Sequence, residues 1–227
     1  MNLGDACWPE VAEGAASSVL VVPLGSTEQH GPHLPLSTDT DIAVALAERL
    51  ARATLATGHR VVIAPPLPYG SAGEHAGFAG TLSIGQDALE VVIVELARSA
   101  DDFAAVVLVS AHGGNAQPLG RAVATLRGEG RRVLAWMPHG YVDAHAGRSE
   151  TSLILALEAG RVRVDAAEAG ATEPLPDLID ALRTEGVRAV SPNGVLGDPA
   201  GASADEGGAL LATITAQLIA DVEQFLA

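Results

Sequence analysis

Short continuous apolar runs alternate along the chain with longer stretches of helical spacing, and Gly- and Pro-rich turns separate them. Runs at residues 19–22, 60–64, 105–111 and 132–137 are the pattern of strands buried on both faces. Between them, residues 41–57 carry Ile42, Leu46, Leu50 and Leu55 on one face and stop at Gly58, which predicts an amphipathic helix. Residues 86–103, with Leu89, Val92, Ile93 and Leu96, and residues 118–129 read the same way. Ser149 reads as a helix cap that places Glu150 in the first turn of a helix carrying Leu153, Ile154 and Leu157. From 160 to 205 the pattern weakens to an acidic, Pro-rich stretch and a short helix at 178–184; residues 204–226 close the chain as a long amphipathic helix over one sheet face. The N-terminal segment reads as loose, with Trp8 tucked onto the body. This strand, loop and helix rhythm predicts one α/β domain over residues 1–227, a three-layer α/β/α arrangement with a largely parallel sheet. In such sheets the loops leaving the strand C-termini carry the chemistry.

Composition narrows the partners. With 227 residues and 48% hydrophobic content the chain can bury a full core. Thirteen Lys and Arg against 28 Asp and Glu leave a formal charge of −15, which repels nucleic acid and anionic membranes. The single cysteine, Cys7, precludes an internal disulfide and suits a reducing cytosol. The opening MNLGDACWPE lacks a basic patch followed by an apolar run, and no apolar stretch reads as a bilayer span. A soluble, cytoplasmic protein is expected.

Three of the predicted strand exits are dense in metal-ligand types. The first, PLGSTEQHGPHLPLSTDTD at 23–41, offers Glu28, His30 and Asp39 without sulfur, a set suited to Zn, Mn or Fe(II). Glu28 and His30 are two apart, so an extended backbone points both the same way, and the loop through Pro32 and Pro35 can bring Asp39 back to them. The plainer alternative has Glu28 solvated, His30 bonded to backbone and Asp39 capping a helix. The second exit is HGGN, with His112 ahead of a tight Gly113–Gly114 turn. The third, PHGYVDAHAGRSETS, holds His145 and Glu150. The convergence of all three exits favours a metal centre over the plainer alternative. The long Gly-rich segment YGSAGEHAGFAGTLSIG after the second strand reads as a substrate wall, with Tyr69, His75 and Phe78 as contacts. For His75 a structural role is an equal alternative. His33 is expected to brace the ligand loop, His59 to sit at a helix end and His139 to support the third loop.

On GSTEQHGPHLPLSTD, YGSAGEHAGFAGT, SAHGGN, DAHAGRSET and GVLGDP, in that order, the chain resembles the creatininase family of metal-dependent amidohydrolases across nearly its whole length. The resemblance implies two divalent ions, Fe2+, Zn2+ or Mn2+, bridged by Asp39. Glu28 and His112 complete one site, and His30 with Glu150 the other. It further implies that His145 donates or accepts a proton, and that the protein forms a closed homo-oligomer, a hexamer in creatininase. Creatininase has an acidic ligand where this chain has Gly114, an acidic residue where it has Ala144, and an aromatic lid that Trp8 and Trp136 do not recreate. Creatinine is therefore not the expected substrate. DAHAGRSETS and YGSAGEHAGF look instead like the family branch that matures the mycofactocin precursor peptide by releasing its modified C-terminal Val-Tyr unit. Ala79 in FAGT departs from that common wall motif, FPGT. Alternatives are a small-molecule amidohydrolase for a cyclic amide or formamide, and a metal-stabilised peptide-binding protein without catalysis. A serine hydrolase on Ser26 or Ser110 is disfavoured, since neither lies in GxSxG.

Overall fold

Four strands form one fully parallel sheet in the order β2-β1-β3-β4: β1 Ser18–Leu24, β2 Arg60–Ile63, β3 Ala105–Ser110 and β4 Val133–Trp136. The structure is a computed structural model and describes residues 1–53 and 55–227. Alternate residues of each strand feed two separate cores. Val19, Val21, Ile63, Val107, Val109 and Trp136 pack with α2 (Thr38–Arg52), α5 (Arg148–Glu158) and α8 (Ala204–Leu226). Leu20, Val22, Leu24, Val62, Val106 and Leu108 face the other way, onto α3 (Gln86–Arg98) and α4 (Ala116–Gly128). The sheet is thus covered on both sides, as its near-continuous Val and Leu runs require. The smaller helices are α1 (Trp8–Ala12), α6 (Leu175–Glu185) and α7 (Val187–Val190).

The central strands β1 and β3 pair from Val19↔Ala105 to Leu24↔Ser110. The chain leaves β1 through α2 on one face and enters β3 from α3 on the other. That reversal opens a crevice at the carboxyl ends of β1 and β3, where α/β sheets hold their ligands.

Several boundaries differ from those the pattern predicts. α2 begins at Thr38, before Asp41, because the carbonyl of Pro35 accepts from both the N–H and the hydroxyl of Thr38 and Ser37 Oγ bonds Asp41. Asp39 therefore sits in a helical first turn. α2 ends at Arg52; Thr54, within the stretch expected to be helical, lies outside the described residues. α5 is preceded by Gly147, so Ser149 is inside the helix, where its hydroxyl accepts from the Val142 N–H instead of capping. α6 is longer than residues 178–184 because Pro174 and Pro176 suit a helix N-terminus. Trp8 is 80% exposed at the start of α1, not tucked onto the body.

The closing helix also differs from expectation in one respect. By length and mean hydropathy, 1.3 over its most apolar window, α8 is long and apolar enough to cross a membrane. Its Leu211, Ile214, Leu218, Val222 and Leu226 are instead buried against the sheet and α5. That single buried stripe, with Asp205, Glu206, Asp221 and Glu223 elsewhere on the helix, is the pattern of a core-covering helix.

Candidate functional site

The three strand exits do meet. Glu28 and His30 lie in the loop after β1, Asp39 in the first turn of α2, His112 at the end of β3, His145 in the loop after β4, and Glu150 in the first turn of α5. All six are buried. His30 Nε2 is 3.2 Å from Asp39 Oδ1 and 3.8 Å from Glu150 Oε2. His112 Nδ1 is 3.1 Å from Glu28 Oε1 and 3.4 Å from Asp39 Oδ2. Each oxygen of Asp39 thus faces a different histidine. His145 Nδ1 stands 3.7 Å from Glu28 Oε1.

Outer hydrogen bonds orient the two histidines. His30 Nδ1 donates to the Glu28 carbonyl at 3.1 Å, and His112 Nε2 donates to the Ser71 carbonyl at 2.9 Å. When neutral, each ring therefore turns a lone pair toward the carboxylates, the orientation of a metal-ligating imidazole with an external hydrogen-bond partner. Among the described residues both oxygens of Glu28 and Oδ2 of Asp39 are buried without an aligned hydrogen bond. Three buried carboxylates with lone pairs aimed among them are a costly arrangement in the absence of a cation. The donor atoms of Glu28, Asp39 and His112 lie within 4.8 Å of one another, as do those of His30, His145 and Glu150, and of Glu28, His75 and His145. These residues fit divalent ions in type, spacing and charge.

The electrostatics express the same crowding. Burial raises the Glu28 carboxyl, with Asp39 adding to it, and burial raises Glu150 to about 7. Burial works against a charged His30, but Asp39, Glu150 and Glu28 overcome it and hold the imidazole at about 10. His112 is raised in the same way against its burial by Glu28 and Asp39. Asp39 is lowered despite burial, because His30 and His112 flank it. Burial, then the neighbouring His30 and His75, push His145 down, and burial with His112 and His30 takes His75 to about 3.

Of the three expected wall residues, His75 lies against this centre. Its Nε2 is 3.4 Å from Glu28 Oε1, and its ring centroid is 4.5 Å from that of His145. Tyr69 is 43% exposed. Phe78 packs against Leu182, Val187 and Leu196, with the Arg188 guanidinium 5.9 Å over its ring. His33 braces the ligand loop as expected, its Nε2 2.9 Å from Thr151 Oγ1 on α5. His59 lies directly before β2, seven positions past the end of α2 and so not at a helix end, and His139 is exposed, 3.4 Å from the Met137 carbonyl. Ser26 Oγ has no hydrogen-bond partner among the described residues, and the Ser110 hydroxyl bonds backbone and Asn115 and no imidazole.

Three residues absent from the expected set also shape the site. Gln29, between Glu28 and His30, points the opposite way and bonds His75 and the loop before α8. The alternation that pairs Glu28 with His30 is the signal that Gln29 turns to the other side. Glu74 Oε1 lies 3.7 Å from His112 Nε2, in the space that a side chain at Gly114 would need. Ala146, buried between His145 and Glu150, has a left-handed backbone with φ of 53°, which turns its N–H onto Glu150 Oε2 at 2.6 Å.

The family model for creatinine amidohydrolase matches residues 4–222. The chain belongs to the creatininase family. It is 49% identical over 193 residues to the mycofactocin precursor peptide peptidase of Mycolicibacterium smegmatis, covering 83% of this chain and 78% of that one. It is 46% identical to the protein of the same name from Mycobacterium ulcerans, covering 96% and 86%. Among solved structures, a putative creatinine amidohydrolase from Bacteroides fragilis superposes with a TM-score of 0.74 at 25% identity, covering 100% and 96%. A creatininase in its Mn form gives 0.79 at 23% identity, covering 98% and 97%, a likeness of fold. The three-layer arrangement with one parallel sheet is thus the creatininase architecture.

Proposed function

We propose that this chain hydrolyses a peptide bond in the modified mycofactocin precursor peptide, releasing its C-terminal Val-Tyr-derived unit during assembly of a redox cofactor. The observation that carries this reading is the 46% identity, over 96% of the chain, to a relative named for that peptidase. Family and relatives alike make the chain a hydrolase of amide bonds. Glu28, Asp39 and His112 would hold one divalent ion, and His30, Asp39 and Glu150 the other, with Fe2+, Zn2+ and Mn2+ all suited to such N and O donors. A metal pair supplies an activated water and a polarised carbonyl.

The remaining steps belong to the chain. His145 donates Nε2–H to the Gln29 carbonyl at 2.8 Å, so its Nδ1 lone pair faces the centre. Burial keeps the ring neutral, ready to take a proton from water and pass it to the departing amine nitrogen, which is a poor leaving group unprotonated. The crevice around Glu28 excludes bulk water, which strengthens each of these interactions.

The test is metal analysis of the purified protein with a mass-spectrometric cleavage assay on modified precursor peptide. Loss of cleavage on chelation and its return with one metal support the reading. An intact peptide alongside an opened small cyclic amide points to the small-molecule alternative, and binding without any cleavage to the scaffold. His145→Ala lowers turnover about 100-fold or more with metal retained; metal loss in that variant makes His145 a ligand. The exposed free thiol of Cys7 accords with a cytoplasmic setting. Tyr69, Leu82 and Ile84, apolar and exposed on the loop after β2, support a closed homo-oligomer such as a hexamer, testable by light scattering.

A further inference from the structure

The amide of Gln29 can be oriented from its neighbours. Its Oε1 accepts from the Gly31 N–H at 2.9 Å, and its Nε2 donates to the Gly194 carbonyl at 2.9 Å. Backbone partners of opposite polarity leave only one assignment of oxygen and nitrogen. Gly194 has φ of 84°, and a Cβ there would overlap Gln29 Oε1, so the loop is shaped to this side chain. The second Nε2 hydrogen then has two imidazole nitrogens in reach, His75 Nδ1 at 2.8 Å and His145 Nε2 at 3.1 Å. The latter is already committed as a donor, because the Gln29 carbonyl 2.8 Å away can only accept. The hydrogen must go to His75 Nδ1, which therefore carries a lone pair. A neutral His75 then holds its proton on Nε2, the nitrogen 3.4 Å from Glu28 Oε1.

We propose that Gln29 is a positioning residue that gives the two facing imidazoles opposite roles: its side-chain amide makes His75 an Nε2–H donor into the centre, while its carbonyl leaves His145 with an Nδ1 acceptor there. His75 is then a hydrogen-bond donor to the scissile carbonyl oxygen as that oxygen gains negative charge, not a metal ligand. The catalytic half of this inference rests on the amide hydrolysis proposed above; the tautomers do not. A donor already aimed at developing charge needs no reorganisation at the moment of reaction. A protonated His75 would set N–H against the Gln29 amide N–H, so the same contact opposes the cation.

The experiment is long-range 1H–15N NMR of histidine-labelled, Zn2+-loaded protein, with His75 assigned through His75→Gln. The expected spectrum has His75 protonated at Nε2 and a non-protonated, metal-free Nδ1. Gln29→Glu, which cannot donate, is expected to move the His75 proton to Nδ1 and lower kcat on the modified precursor peptide about 100-fold, with KM and zinc content near wild type. His75→Leu loses about as much, and His75→Gln, which keeps an N–H donor, recovers about tenfold of it. A wild-type His75 that is zinc-bound or protonated at Nδ1 overturns the inference, as does a Gln29→Glu protein with unchanged tautomer and rate. If the wild type leaves the peptide uncut, the functional reading fails while the spectrum still decides the tautomers.

Discussion

Asp39→Asn isolates the demand that a metal pair makes on this site. The substitution keeps the side-chain shape in the first turn of α2, where Asp39 is 1% exposed, and removes one of three clustered carboxylate charges. Asp39 is the one whose oxygens face two histidines, at 3.2 and 3.4 Å, so both ions feel the loss. A unit charge about 4 Å from another contributes about 4 kcal/mol at an effective dielectric near 20, and a divalent ion doubles that. Loss of the ion's own hydration offsets most of it; if about a third survives, each ion binds about 2.7 kcal/mol less tightly, or about 100-fold. Dialysed protein measured by plasma mass spectrometry is expected to fall from two ions per chain to one or fewer, and zinc titration to show the weakened constant. The fold serves as the control. Asp39 lies buried between His30 and His112, so its loss costs the metal-free protein about 3–5 kcal/mol, and native-like circular dichroism below the lowered melting temperature shows that the variant still folds. Two ions bound with unchanged affinity would refute the bridging role of Asp39.

Three further outcomes follow from the geometry. Gly114→Ala places a methyl against the Ser71 carbonyl, Glu74 Oε1 and His112 Nε2; the overlap should destabilise the protein by about 1–3 kcal/mol and displace His112, seen as a lower Tm and weaker metal binding together. Metal uptake should release at least two protons near pH 7, with a further fraction from Glu150, which burial raises to about 7, and tighten as pH rises from about 6 to about 8. The reason is that the metal-free centre holds His30 at about 10 and keeps His112 raised, and both must lose a proton to ligate; calorimetry in buffers of different ionisation enthalpy measures it, and no buffer dependence would contradict it. Leu218→Ala, fully buried on α8, should cost about 2–5 kcal/mol by urea unfolding. A cost below about 1 kcal/mol would mean that α8 does not depend on its seat against the sheet.

Local pattern was sufficient for the layers and for the clustering. Val- and Leu-rich runs ending at polar loops specify parallel buried strands, because only helices on both faces can cover two apolar sides, and the two sheet cores divide the strand residues by alternation. Glu28 with His30, the turn after His112, and Glu150 in the first turn of α5 could likewise be read from spacing, since each depends on a few neighbouring residues. The residues carried over from the family resemblance meet at one sheet edge, and the resemblance itself could be read from motifs spread over most of the chain.

What local pattern did not hold is what depends on distant partners. The start of α2 at Thr38 and the entry of α5 at Gly147 follow from side-chain bonds that compete with any single cap residue. Phe78 turned to the cluster around Val187 because residues more than a hundred positions away supply its apolar partners. Glu74 fills the space beside Gly114, and only the fold brings those two loops together. Sequence by itself thus determined the kind of sheet, the edge that carries the chemistry and the donors placed there, because strand and turn preferences act over a few residues. Tertiary structure decided which imidazole gives a hydrogen bond and which accepts one, because a ring's tautomer is set by partners such as Gln29 and Gly194, 165 positions apart in the chain.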